Sequence, residues 1–121
     1  SPTFIDVTGA STTITVPEGQ TATVVAQFSG ESLCYGGPAA TWCSLILVIG
    51  AEEMAPVDGS FAAFDSPGDG NATSWESNAI VRSRTNLGPG TYTVKARART
   101  SDSTQTLVLD EISLAVQATG E

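Results

Sequence analysis

Histidine is absent from this chain, and with it go His-based triads, imidazole general bases and imidazole metal ligands. Charge is scarce. Asp, Glu, Lys and Arg make up 15% of the residues, where about 25% is usual for a soluble domain. Basic residues are scarcer still: five Lys and Arg stand against thirteen Asp and Glu, for a net charge of -8. A surface of that sign repels phosphate backbones and anionic bilayers, so neither nucleic acid nor a membrane surface is expected as a partner. No run of about 18 apolar residues is present, which excludes a membrane-spanning helix. No signal peptide is visible, and the chain opens on Ser1-Pro2 without Met, as a mature exported form would after cleavage. Cysteine is limited to Cys34 and Cys43. An even count at short spacing, in a composition of this kind, predicts one disulfide. Once oxidised, the pair supplies neither a thiol nucleophile nor a thiolate zinc site.

What is present suits one secreted domain. The 121 residues are 40% hydrophobic, enough for a single core over residues 1–121. Thr, Ser, Ala and Gly fill the places that Lys and Glu take elsewhere, as on a β-rich extracellular surface. Helical periodicity is nearly missing, and strand alternation is everywhere. Residues 3–8 and 12–16 read as two short strands around Gly9-Ala10, with 1–8 separable from the main body. Residues 21–29 alternate, with Ala22, Val24, Ala26 and Phe28 on one face. Residues 30–40 read as a loop holding Cys34. Leu45 to Ile49 are apolar without a break, which predicts a central strand covered on both faces. A turn or hairpin is expected over 50–59, short strands over 61–64 and 75–84, and a polar loop over 65–74.

Residues 91–100 alternate again, with Tyr92, Val94, Ala96 and Ala98 opposite Thr93, Lys95, Arg97 and Arg99. In the last strand, 106–118, the apolar set changes phase from Leu107 and Leu109 to Ile112, Leu114 and Val116. A one-residue slip flips every side chain, so a β-bulge is placed at Asp110-Glu111. About eight to ten strands with regular turns predict an all-β, antiparallel sandwich, Ig-like or jelly-roll.

Leu87-Gly88-Pro89-Gly90-Thr91-Tyr92-Thr93-Val94 resembles the corner that opens a late strand of immunoglobulin-like domains. Val16-Pro17-Glu18-Gly19-Gln20-Thr21 resembles the first hairpin of bacterial or archaeal Ig-like surface modules. The resemblance implies a fold, and a Tyr hydroxyl bonded to upstream backbone, but no activity. Cys34 and Cys43 stand too close to be expected to bridge opposite sheets as the antibody disulfide does.

Five candidate sites follow. The segment from Cys34 to Cys43 pins Tyr35 and Trp42 at the base of a loop. Two rigid aromatics can stack on a sugar or anchor a protein, though capping the sandwich end is the plainer role. The window from Asp65 to Glu76 carries Asp65, Asp69 and Glu76 at the first, fifth and twelfth places of a calcium loop, but Pro67 breaks the pattern at the third. Asn71-Ala72-Thr73 is an N-glycosylation acceptor, also common by chance. Glu52-Glu53, Asp65, Asp69, Glu76 and Asp110-Glu111 could pair as glycosidase carboxylates, but a solvated acidic surface is the simpler reading.

The fifth is the basic cluster. All five cations lie between Arg82 and Arg99. Lys95, Arg97 and Arg99 form a ladder, and Arg82 and Arg84 are expected beside it. Pairing with nearby acids such as Asp110 or Glu111 would offset the repulsion. Otherwise the stripe meets the acidic remainder of a neighbouring copy, head to tail. With Phe4, Ile5 and Val7 of the separable first strand, it outlines an assembly interface. The expected function is a non-enzymatic extracellular structural subunit (a filament, pilus-like or surface-coat protein) that associates with copies of itself and needs no cofactor. A carbohydrate-binding or adhesion module using Tyr35 and Trp42 is the alternative.

Overall fold

The computed structural model describes residues 2–57, 59, 61–67 and 74–121. In chain order its strands are β1 (Ile5–Val16), β2 (Ala22–Gly36), β3 (Cys43–Ile49), β4 (Glu52–Glu53), β5 (Ala63–Asp65), β6 (Glu76–Leu87), β7 (Gly90–Thr100) and β8 (Gln105–Gly120). No helix occurs among the described residues, so none is long and apolar enough to cross a membrane. A front sheet runs β1-β7-β3-β4, with β5 also on β3; a back sheet runs β6-β2-β8. All pairings are antiparallel. The molecule is an antiparallel β-sandwich.

Alternation decides which face each strand buries. On β2, Ala22, Val24, Ala26 and Phe28 are buried, while Val25 and Gln27 are exposed. On β7, Val94, Ala96 and Ala98 are buried and the cations between them are not. β3 is buried at every position, as its unbroken apolar run requires. Phe28, Leu45, Leu47, Met54, Val24 and Val94 fill the core between the sheets. Each such side chain contributes about 1.5–3 kcal/mol by leaving water. Phe28 meets Phe64 edge to face at 5.6 Å. The bulge expected near Asp110-Glu111 is present: Ser29 faces Ser113, yet Glu31 faces Asp110, so β8 carries one extra residue. Glu111 holds φ at 51° there. Tyr92 also makes its corner, its hydroxyl donating to Gly88 O at 2.8 Å.

The structure corrects several sequence expectations. Residues 3–8 and 12–16 do not form two strands. They merge into β1, whose ladder on β7 is interrupted between Asp6 and Ser11. The separable first strand therefore pairs with its own sheet. The loop expected over 30–40 is shorter, because Ser32 and Cys34 continue the buried face of β2 while β8 pairs with it as far as Gly36. Gly36 ends the strand at φ 81°, and a Cβ there would lie 2.7 Å from Thr104 O.

The expected Cys34–Cys43 disulfide is present, but it joins opposite sheets, which its short spacing was not expected to allow. Cys34 on the back sheet and Cys43 on the front sheet are bridged, with Cα atoms 6.2 Å apart. The short spacing suffices because the β2–β3 connection is itself the crossing between sheets. Arg82 and Arg84 lie on β6, in the back sheet, not beside the ladder of β7. Nor is the strand order that of the immunoglobulin arrangement, where the last strand stays in the sheet of its predecessor. Here β8 crosses to pair with β2, and β1 takes the place beside β7.

Candidate functional site

The N-terminal half of β1 lies across the cationic ladder and neutralises much of it. Asp6 sits on the outer face of the front sheet opposite Arg97. Lys95 Nζ donates to its Oδ2 at 3.1 Å and Arg97 Nε to its Oδ1 at 3.0 Å. The Lys95 hydrogen bond, with the charges of Lys95 and Arg97, holds the Asp6 carboxyl below its ordinary value. Arg97 Nη2 also donates to Phe4 O at 3.0 Å. These pairs are solvent-exposed, so each adds little to stability and weakens with salt. The acids that answer the cations are Asp6 and, for Arg84, Glu52. The expectation named Asp110 and Glu111, which belong to the other sheet.

Arg99 completes the clasp differently. Its guanidinium stands 5.0 Å from the Phe61 ring centroid and 5.6 Å from that of Phe4. The two rings meet edge to face at 4.9 Å. Stacking of this kind is favourable, but Arg99 Nε is buried without a hydrogen-bond partner among the described residues. Phe61 has a φ of 58°, a left-handed value that costs a bulky residue energy. Its carbonyl is anchored by Trp42 Nε1 at 3.1 Å and Ser44 Oγ at 3.3 Å. Sequence pattern alone did not reveal Phe61 or Asp6 as parts of this arrangement, because neither lies near β7 in the chain.

Behind the clasp the sandwich is ajar. Among the described residues, β1 pairs only with β7 and β8 only with β2, so both expose an unpaired edge on the same flank. Between them opens a cleft of about 430 Å³, lined in equal number by apolar residues such as Ile5, Leu109 and Ile112 and by polar ones such as Arg99, Gln105 and Thr106. Ile5 is 58% exposed at its rim. On the opposite flank, Ala55 closes on β6 through two 2.9 Å backbone bonds with Ser83. Neither a protein-family model, nor a curated protein, nor a solved structure matches the chain.

The remaining candidates are dispersed. Tyr35 is exposed at the end of β2, whereas the Trp42 indole is tied to Phe61. No ring contact joins the two among the described residues. Arg82 donates to the neighbouring Val81 O. Asp65 is buried, accepting from Ser32 Oγ at 2.6 Å and Ser66 N at 2.7 Å, and Asn78 Nδ2 donates to Ser32 Oγ at 2.9 Å. Glu76 is exposed at the start of β6. Asp69 and Asn71 lie outside the described residues. The strand register also gathers Glu31, Asp110 and Glu111, whose carboxylates come within 4.8 Å of one another at the β8 bulge. Sequence reading missed Glu31 as their neighbour, since only the pairing of β2 with β8 brings it there.

Proposed function

We propose that this domain is a non-enzymatic structural subunit of the cell exterior that joins copies of itself along the β1–β8 flank. The observation that carries this reading is the cleft, half apolar and half polar in its lining, standing open between two unpaired strand edges. Free backbone donors and acceptors beside apolar pockets are what an added strand or sheet uses. Bulges in β1 and β8 interrupt both edges near mid-length, with Gly9 close to Ile112. They confine pairing to the stretches on either side, which limits indiscriminate aggregation. The cations lie on β6 and β7, in opposite sheets, and Asp6 and Glu52 answer three of them, so the open flank rather than a cationic stripe carries the reading. The inter-sheet disulfide suits a non-reducing compartment. Absence of histidine and pairing of both cysteines support a role without catalysis.

Negative-stain electron microscopy of the purified protein at moderate and high salt tests the proposal. Filaments or regular sheets, altered by salt, are expected. Dispersed monomers at both salts contradict it.

A further inference from the structure

A strand segment can pass to another copy when a hinge lies beside it and its seat is complete without it. The first half of β1 meets both conditions. Asp6 stands opposite Arg97 and Ser11 opposite Lys95, so four residues of β1 answer one residue of β7. Gly9 lies inside this interruption at φ 86°, a value glycine adopts without steric cost. Ahead of it, Ile5 and Asp6 hold the front sheet by a short ladder of their own, opposite Ala98 and Arg97. The seat for this segment belongs to other parts of the chain: Lys95, Arg97 and Arg99 on β7, and Phe61 before β5. Charge complementarity is explicit, one carboxylate being received by two cations. Part of the segment is open to solvent, with Ile5 58% exposed and the Asp6 side chain 57% exposed.

We propose that residues 4–7 exchange between copies, swinging about Thr8 and Gly9, ahead of the core residue Ala10, to lie against β7 of a second copy. This rests on the assembly reading above and names its connecting piece. The partner is another molecule of this chain, because the seat fits the segment equally well whichever molecule supplies it. Exchange costs no contacts, so protein concentration decides between the closed and exchanged forms. In the exchanged form the cleft of one molecule is bordered by β1 of another, and the two are tied mechanically.

Zero-length carbodiimide coupling on the native sequence tests this. Asp6 and Lys95 are 3.1 Å apart, and Lys95 is the only lysine of the chain. Equal amounts of ¹⁵N-labelled and unlabelled protein are unfolded with the disulfide intact, refolded together at high concentration, coupled and digested. Exchange predicts that about half of the Asp6–Lys95 linked peptides in the associated fraction pair a heavy half with a light one. Like-isotope pairs alone, in every fraction the protein forms, overturn it. Electron microscopy of the same sample separates the two ideas. Assemblies with like-isotope links overturn the exchange and leave self-association standing, whereas monomers with like-isotope links contradict both.

Discussion

Asp6 couples the N-terminal segment to the rest of the molecule through two cations, and its chemistry makes that coupling dependent on pH. Its carboxyl is held below the ordinary value of 3.8, first by the Lys95 hydrogen bond. A lowered folded-state value means that the contribution is complete above the ordinary carboxylate range and is lost as pH falls through the folded value. NMR signals of Ile5 and Asp6 should therefore move on acidification towards those of Asp6→Asn at neutral pH. Spectra in which the acidified protein and the variant bear no relation would count against the clasp. Ser32 offers a different kind of test. Ser32→Ala leaves the buried Asp65 short of a donor, and urea unfolding should register a loss of about 1–3 kcal/mol. At the corner, Tyr92→Phe removes the bond to Gly88 O and should cost about 1 kcal/mol by the same measurement. Tyr92 was legible in the sequence because its partner lies four residues upstream in a Gly-Pro-Gly turn. The Ser32–Asp65–Asn78 cluster was not, since its members come from three strands and each alone looks like an ordinary polar residue.

Among the elements, β2, β3 and β7 could be read directly, because a period of two and an unbroken apolar run each have a single structural outcome on a packed sheet. The β8 bulge was readable for the same reason: only an extra residue lets Leu109 and Ile112 share a face. Deleting Glu111 should remove the bulge and leave β8 in regular register with β2, because Leu107, Leu109, Ile112, Leu114 and Val116 then alternate without a break. Amide hydrogen exchange across residues 109–113 should slow in the variant; faster exchange there, or faster limited proteolysis of β8, would mean that the extra residue is not what breaks the alternation. β1 was misread because Gly9-Ala10 carries a turn-like signal, while the continuity of the strand comes from its contacts with β7 and β8. The sequence around Cys34 was misread in the same way, its strand character being supplied by pairing with β8.

At the scale of the molecule, topology was the part least accessible to sequence. Local patterns state that a strand exists but not which neighbour it takes, and here the two terminal strands sit in opposite sheets along one flank. That placement leaves the sandwich open beside β1 and β8. It also puts the disulfide across the sheets at the far end of β2, where it restrains their separation. Replacing both Cys34 and Cys43 by Ala should cost roughly 2–3 kcal/mol in chemical unfolding, the loop closed by the bridge being short. Self-association is the central claim, and Ile5 is the residue through which to challenge it: it lies on the cleft rim and is mostly exposed, so Ile5→Lys should leave the fold intact. Sedimentation velocity over a wide concentration range, on the native protein and on Ile5→Lys at matched thermal stability, is the most direct measurement. Concentration-dependent association of the native protein that the variant loses is the predicted result. A native protein that remains monomeric throughout, or a variant that associates equally well, would contradict assembly through the β1–β8 flank.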